Sequence, residues 1–208
     1  LDEAVGSGMI RMLGKDTDEA YLGEVIKVAV NPDCVKQVAD DFKLVYTPFH
    51  GAGYRLVPEI LRRLGYKHII CEPEQMKIDG DFPTVSYPNP EAKEAFELGL
   101  ALAKEKNADL VLATDPDADR LGVYVKDTKS GEYIPLTGNM SGSLLCEYVL
   151  SQKQANGKIP ADGQVVKSIV STNLIDAVAK SYGAELIEVL TGFKWIGKQI
   201  LKNETTGH

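Results

Sequence analysis

The sequence predicts a protein of the α/β class, made of layered domains with mixed, largely parallel sheets. Short β-rich runs alternate with helical runs along most of its 208 residues, and this order of elements is typical of helices packed on a parallel sheet. With 44% apolar and 25% charged residues, the chain has the composition of an ordinary globular protein. The stretch 90–106 places apolar side chains on one helical face, as a helix that covers a sheet does.

The first half of the chain predicts helices followed by alternating units. Helix starts at residues 17–19 and 31–33 precede helical stretches within the first 42 residues. Further helices are predicted at residues 55–64 and 90–106. Strands are predicted at residues 43–46, 68–71 and 110–114, and a hairpin at 121–125 and 133–136 around the turn 127–131.

A second alternating set follows the hairpin. It predicts helices at residues 141–152, 173–182 and 193–202, and strands at residues 165–170 and 186–190. We place the domain boundary near residues 135–139, so that residues 1–136 form one domain and residues 137–208 a second. Two strands are few for an α/β domain, and we therefore expect the second domain to be incomplete.

Charge and cysteine usage exclude several classes of function. The net charge of −7 and the pI of about 5.1 argue against nucleic-acid binding, which usually shows as a basic surface. The three cysteines, Cys34, Cys71 and Cys146, match neither a metal motif nor a disulfide framework, and we expect them to be reduced.

No signal peptide and no apolar run of roughly 18 residues is present. We therefore predict a cytoplasmic protein without a membrane partner.

An acidic cluster follows directly after the predicted strand 110–114, where residues 113–120 have the sequence ATDPDADR. In an extended segment, side chains two residues apart point the same way, about 6.5–7 Å apart, so Asp115, Asp117 and Asp119 could converge. Pro116 biases Asp115 away from helical geometry, which keeps the run extended or looped. Carboxylates are the hard oxygen ligands that Mg²⁺ prefers. We therefore expect the three aspartates to bind Mg²⁺ at the carboxyl end of a strand, where open α/β sheets bind ligands.

Three other interpretations of the cluster are possible. A solvated acidic turn is the simplest, but an apolar strand that runs straight into three aspartates is unlike a random surface loop. An EF-hand loop starting at Asp115 would need glycine and glutamate where the chain has Arg120 and Lys126. A phosphatase of the haloacid dehalogenase type also places D-x-D after a strand, with the first aspartate as nucleophile. It usually has Thr or Val at the position of Asp119, and it stays a minor alternative.

Arg120 completes the cluster. A guanidinium beside a metal ion can hold a phosphate group that also touches the metal, whereas the simpler interpretation is a salt bridge to the acidic neighbours. A metal ion together with an arginine at one strand end indicates phosphoryl transfer, where catalysis is mostly charge neutralisation and positioning.

The motif at residues 113–120 resembles the metal-binding loop of the α-D-phosphohexomutases, the phosphoglucomutase/phosphomannomutase superfamily. Residues 46–53, YTPFHGAG, are similar to the T-P-x-H-G-x-G turn of that family's second domain. Further matches occur in order along nearly the whole chain: PEQ at 73–75, DFPTV at 81–85, PNPE at 88–91, LTGN at 136–139 and TGFKWIG at 191–197.

The resemblance implies a fragment of a phosphoglucomutase-like enzyme that moves phosphate between C1 and C6 of a hexose. Such enzymes use a phosphoserine and a bisphosphorylated sugar intermediate. Asp115, Asp117 and Asp119 would hold Mg²⁺ against the phosphoserine, and Arg120 would help to bind its phosphate. The family has four domains, and this chain resembles the second and the first part of the third. The serine loop of the first domain, typically T-A-S-H-N-P, is not in the sequence, so we expect the fragment alone to be inactive and to need domains 1 and 4 as partners.

The resemblance also implies a substrate-facing loop at residues 191–194. Lys194 would be a candidate for acid–base catalysis or phosphate contact, while Thr191 and Gly192 would shape the loop. From the residues alone, a solvated lysine in the first turn of a helix is an equally good interpretation, because a helix N-terminus does not favour a cation. His50 is interpreted as part of a structural turn, hydrogen-bonded near the active cleft. A non-catalytic module that binds metal or sugar phosphate is the remaining alternative function.

Overall fold

Strands and helices alternate in the structure, a computed structural model that describes residues 1–207, and the α/β class with a mixed, mostly parallel sheet is confirmed. The chain divides into two units, the first Leu1–Tyr133 and the second beginning at Ile134. The first unit contains helices α1 (Asp2–Gly6), α2 (Lys15–Lys27), α3 (Asp33–Lys36), α4 (Gly53–Arg63) and α5 (Glu97–Lys106). Its strands are β1 (Lys43–Thr47), β2 (His68–Cys71), β3 (Leu110–Thr114) and β4 (Leu121–Lys126), and β5 (Tyr133–Leu136) leads into the second unit.

These strands form one sheet in the order β2-β1-β3-β4-β5. Strand β1 lies between β2 and β3 and is parallel to both, while β4 is antiparallel to β3. In the central pair, Val45 lies opposite Val111 and Thr47 opposite Ala113. Because β1 and β3 are parallel neighbours, the loops that follow them leave the sheet at the same edge.

The core of the first unit lies between this sheet and helix α5. Val45, Val111 and Phe96 are all fully buried. The Phe96 ring packs edge-on against Phe49, with 5.4 Å between the ring centroids, and against Tyr124 at 4.7 Å. Burying a phenylalanine side chain of this kind contributes about 1.5–3 kcal/mol. This aromatic cluster therefore anchors the beginning of α5 beneath the edge where β1 and β3 end.

The helix predicted at residues 90–106 begins later than expected. A 3₁₀ turn at Lys93–Phe96 precedes α5, and Ala92 is extended, with φ −83° and ψ 119°. The reason is local: the Asn89 side-chain oxygen accepts a hydrogen bond from the N–H of Glu91 at 3.0 Å, which holds the preceding residues in a turn. The helix ends as expected, at a left-handed Asn107 with φ 53°.

The second unit carries α6 (Gly138–Ala155), β6 (Gln164–Ser168), α7 (Leu174–Ser181), β7 (Glu185–Val189) and α8 (Phe193–Thr206). Strands β6 and β7 pair in parallel, with Val165 opposite Leu186. Thr137 caps α6, since its Oγ1 accepts a hydrogen bond from the N–H of Met140 at 3.2 Å. Strand β6 stops two residues before the predicted end at residue 170, because Ser171 donates to the Ser168 carbonyl oxygen at 2.9 Å and turns the chain.

Within residues 1–207, no helix combines the length and the apolar character that crossing a bilayer requires.

Candidate metal and phosphate site

The candidate site lies at the edge of the sheet where β1 and β3 end. We call residues 48–53, which follow β1, the β1 turn, and residues 115–120, which follow β3, the aspartate loop. The N–H of Ala52 donates a hydrogen bond to the Pro116 carbonyl oxygen at 2.7 Å. A Cβ atom on Gly51 would lie 2.3 Å from the Cα of Pro116, well inside van der Waals contact. The two loops are therefore in direct backbone contact, and only glycine fits at position 51.

The three aspartates converge in the aspartate loop. One carboxylate oxygen each from Asp115, Asp117 and Asp119 lies within 4.8 Å of the other two. Asp115 is fully buried, whereas Asp117 and Asp119 are exposed. A turn brings them together: the N–H of Ala118 donates to the Asp115 carbonyl oxygen at 3.0 Å, and Ala118 is left-handed with φ 60°. Of the two backbone forms that the sequence allowed, the loop is adopted and the extended run is not.

Arg120 folds back onto the first aspartate. Its backbone N–H donates to Oδ1 of Asp115 at 2.9 Å, and its Nε donates to Oδ2 at 2.6 Å. The same Nε lies 3.6 Å from Oδ1 of Asp119. The salt bridge considered for Arg120 is thus present, yet the side chain stays 53% exposed. A guanidinium has five N–H donors, so one carboxylate does not exhaust it.

Charges within the loop shift the pKa values in opposite directions. Burial by itself would raise the pKa of Asp115, but the backbone N–H and the guanidinium of Arg120 outweigh it and hold that pKa below its ordinary value. The charge of Asp117 is the largest cause that raises the pKa of Asp119. Asp115 is therefore a stable anion, and the exposed pair Asp117 and Asp119 repel each other unless a cation lies between them.

Residues that sequence reasoning missed hold the base of the aspartate loop. The hydroxyl groups of Tyr46 and Thr114 are hydrogen-bonded at 2.8 Å, and both residues are buried. A Cβ on Gly53 would lie 2.4 Å from the Tyr46 hydroxyl oxygen and 2.7 Å from Thr114 Oγ1. The glycine spacing of the β1 turn was the available signal, because glycine at two such positions indicates close approach of another backbone or side chain.

The placement of His50 agrees with the structural turn that the sequence predicts. It is 3% exposed. Both ring nitrogens are engaged, Nδ1 with the Lys77 carbonyl oxygen and Nε2 with Thr84 Oγ1, each at 2.8 Å.

The loop predicted to face the substrate lies in the second unit, at the beginning of α8. Thr191, Gly192 and Lys194 are all exposed there. Gly192 has φ 120°, a conformation that requires glycine, and its carbonyl oxygen accepts a hydrogen bond from the N–H of Trp195 at 3.0 Å. Lys194 Nζ lies 5.4 Å from the centroid of the Trp195 ring, within range of a cation–π contact. Lys194 is therefore an exposed lysine that lies over an aromatic face.

Comparison with protein families gives matches in both units. The family model described as phosphoglucomutase/phosphomannomutase, alpha/beta/alpha domain II, matches residues 19–131. The model for domain III of the same family matches residues 137–207.

Comparison with curated and solved proteins agrees. The chain is 36% identical over 217 residues to a phosphoribomutase of Saccharomyces cerevisiae, covering 100% of this chain and 35% of the relative. It is 37% identical over 196 residues to a phosphoglucomutase of Staphylococcus saprophyticus, covering 94% and 34%. An N-acetylphosphoglucosamine mutase of Aspergillus fumigatus, solved in complex with GlcNAc-6P and magnesium, has the same fold, with TM-score 0.57 and 16% identity over 92% of this chain and 36% of that one. The chain spans about a third of the length of these relatives.

Proposed function

Because the chain belongs to the phosphoglucomutase/phosphomannomutase family, we propose that the whole protein is a phosphohexomutase that interconverts hexose 1-phosphate and hexose 6-phosphate. In this proposal residues 1–136 are the second domain of the enzyme and supply its magnesium-binding loop. Residues 137–208 are the first part of the third domain. Homologues with phosphoribomutase and phosphoglucomutase activity support the reaction class. Cys34, Cys71 and Cys146 form no disulfide in the described part of the chain, as is usual for proteins of the reducing cytoplasm, the location that we propose.

The convergence of Asp115, Asp117 and Asp119 within 4.8 Å is the observation that carries the proposal. The donor set fits Mg²⁺, since all three ligands are carboxylate oxygens, and neighbouring ligands of an ion bound at about 2.1 Å lie roughly 3–4 Å apart. The side chains of Asp117 and Asp119 are exposed, so their oxygens can move from within 4.8 Å of one another to the shorter spacing of bound ligands. The magnesium in the A. fumigatus relative supports the choice of metal. A bound Mg²⁺ would neutralise negative charge on the phosphoryl group being transferred.

Each residue of the aspartate loop has a distinct part in this proposal. Asp115 keeps a lone pair on each oxygen beyond its bonds to Arg120, so it can bind the metal while it orients the guanidinium. Arg120, half exposed and fixed through Nε, presents its remaining N–H groups to a phosphate beside the metal. In the second unit, Lys194 at the Thr191–Gly192 turn is proposed to contact the substrate phosphate or to act in acid–base catalysis.

The geometry of Asp115 disfavours the phosphatase alternative. A nucleophilic aspartate has to be accessible and able to turn an oxygen toward an incoming phosphoryl group. Asp115 is fully buried, and both of its oxygens accept hydrogen bonds from Arg120. It is therefore better suited to hold a cation and an arginine than to attack phosphorus.

Calorimetric titration with Mg²⁺ tests the metal site. We expect the parent chain to bind Mg²⁺ and Asp117→Asn to bind it at least tenfold more weakly, since even outer-shell substitutions weaken metal sites about 10–100-fold. Asp16→Asn is the matched control: it removes the same charge from an exposed residue in the first turn of α2 and should leave binding unchanged. Equal affinities for the parent and Asp117→Asn would contradict the ligand assignment.

Activity measurements separate the competing functions. The phosphoserine donor implied by the family is proposed to lie outside these residues, so we expect the chain alone to turn over no sugar phosphate. Sustained, metal-dependent mutase activity of the chain alone would contradict that expectation. Hydrolysis of simple phosphate esters that is lost in Asp115→Asn would favour the phosphatase instead.

A further inference from the structure

The β1 turn has an unfavourable backbone. Phe49 and His50 are consecutive left-handed residues, with φ 46° and 65°. Left-handed backbone is uncommon for residues other than glycine, and it persists only where the surrounding structure enforces it. Two such residues side by side therefore need specific contacts to hold them. Phe49 is held by its buried ring, which packs on Phe96.

His50 is held by hydrogen bonds on every polar atom it has. Its backbone N–H donates to the Gln75 carbonyl oxygen at 2.8 Å, and its carbonyl oxygen accepts from the N–H of Asp79 at 3.4 Å. Ring Nδ1 faces the Lys77 carbonyl oxygen, which can only accept, so Nδ1 carries the hydrogen. In the neutral ring Nε2 is then the acceptor, so Thr84 Oγ1 donates its hydrogen to Nε2 while it accepts from Gln75 Nε2 at 3.2 Å.

The same network reaches back to strand β1. Gln75 Oε1 accepts a hydrogen bond from Thr47 Oγ1 at 2.6 Å, and Thr47 Oγ1 accepts one from the N–H of Phe49 at 3.2 Å. Thr47 and Gln75 are both fully buried. Donors and acceptors alternate without conflict from Phe49 through Thr47, Gln75 and Thr84 to His50. The network therefore fixes one conformation of the turn.

The β1 turn also sets the position of the aspartate loop. Immediately after His50, Gly51 abuts the backbone of Pro116, and Ala52 donates to the Pro116 carbonyl oxygen. Pro116 lies between Asp115 and Asp117. A rotation of the backbone at His50 would move Ala52 and break its hydrogen bond to Pro116. The distances between the carboxylates on either side of Pro116 would then change.

We propose that His50 is a positioning residue for metal binding: its ring, held by Lys77 and Thr84, fixes the backbone that supports the aspartate loop. The inference rests on the metal site proposed above and extends it to a residue that contacts neither metal nor substrate. A histidine that only stabilised the fold would affect the whole core, whereas a positioning histidine acts at the junction between the two loops.

Two variants of His50 test the proposal. His50→Ala removes both ring contacts and leaves a left-handed alanine. His50→Asn keeps an N–H group near the Lys77 carbonyl oxygen, and asparagine tolerates left-handed backbone well. His68→Ala is the matched control, since His68 is an exposed histidine on β2, bonded through Nε2 to the Asp40 carbonyl oxygen.

Two measurements on the whole chain are needed: Mn²⁺ affinity by electron paramagnetic resonance, and hydrogen exchange of single backbone amides by NMR. We expect His50→Ala to bind Mn²⁺ about tenfold more weakly, with His50→Asn recovering most of the loss and His68→Ala matching the parent. In His50→Ala the Ala52 amide should exchange at least tenfold faster, while the core amides of Val45 and Val111 keep their parent rates.

The outcomes separate the two proposals. If the parent chain binds no Mn²⁺, the metal site is wrong, and the Ala52 amide still decides whether His50 controls the junction. Parent-like Mn²⁺ affinity and Ala52 exchange in His50→Ala would overturn the inference. So would faster exchange spread equally over Ala52, Val45 and Val111, because that pattern marks a general loss of stability.

Discussion

The hydrogen bond between Tyr46 and Thr114 offers a quantitative test of how the site is supported. It joins β1 to the last residue of β3, directly before Asp115, over 2.8 Å between two buried hydroxyl groups. Burial raises the pKa of Tyr46 to about 12, so its hydroxyl stays protonated at neutral pH. Gly53 packs closely against the pair, since a Cβ at that position would lie 2.4 Å from the Tyr46 hydroxyl oxygen and 2.7 Å from Thr114 Oγ1.

The expected magnitudes follow from that enclosure. Tyr46→Phe or Thr114→Val alone leaves the other buried hydroxyl group without its hydrogen-bond partner, which lowers the free energy of unfolding by about 1–3 kcal/mol. With a urea m-value of about 2 kcal/mol/M, the unfolding midpoint should fall by roughly 0.5–1.5 M. The double variant removes both partners and should lose less than the two single variants summed, by about 1–3 kcal/mol.

Urea unfolding followed by circular dichroism measures these changes, and amide exchange in β1 and β3 assigns them to the first unit. The exchange data are needed because circular dichroism sums over both units, and a two-unit chain does not have to unfold in one step. Additive losses in the double variant would refute the coupling across the strand ends. In that case the two hydroxyl groups would act separately, and the base of the aspartate loop would depend on backbone contacts alone.

Two further predictions concern packing and charge. Gly122→Ala places a Cβ 2.6 Å from Phe96 Cζ and 2.7 Å from Pro90 Cβ. Because the core has to shift to admit it, the variant should lower the free energy of unfolding by about 1–3 kcal/mol. An unchanged urea midpoint would contradict this packing. Lys167 is 4% exposed and forms an ion pair with Asp176 at 2.6 Å, and the Asp176 carboxylate is the main cause that raises the lysine pKa above 10.5. A raised pKa adds stability that is complete below pH 10.5 and is lost as the pH rises through the folded-state pKa. Lys167→Met should therefore lower Tm at pH 8, and the Tm difference between variant and parent should shrink above pH 10.5. A Tm difference that stays constant with pH in calorimetric scans would argue against the ion pair.

The strands that lead to the site could be predicted from the sequence because local pattern determines them. The bounds of β2 and β3 agree with the predicted runs 68–71 and 110–114, since short β-rich runs ended by loop residues are strong local signals. The aspartate cluster was predicted as a set for the same reason. Its backbone was not fixed in advance, because proline excludes the helix at Asp115 but does not choose between an extended run and a turn.

The supports of the site could not be predicted, because each depends on residues far apart in the sequence. His50 and Thr84 are 34 residues apart, and Tyr46 and Thr114 are 68 apart. Periodicity and turn propensity report neighbours along the chain, not partners across a sheet edge. The glycines at 51 and 53 indicated that something approaches closely, but only the fold identifies it as Pro116 and as the hydroxyl pair.

Several unfavourable features are concentrated at this one edge of the sheet. Left-handed residues occur at Phe49, His50 and Ala118, and exposed carboxylates repel each other in the aspartate loop. Each left-handed residue of this kind costs of order 1 kcal/mol or more, and the core beneath, centred on Phe96, supplies stability that can offset it. A turn needed only to reverse the chain does not require left-handed residues and like charges to lie together above this buried core. The proposed metal site accounts for both features. A cation between Asp117 and Asp119 would replace their repulsion with attraction, and a backbone that is already ordered lowers the entropy cost of binding.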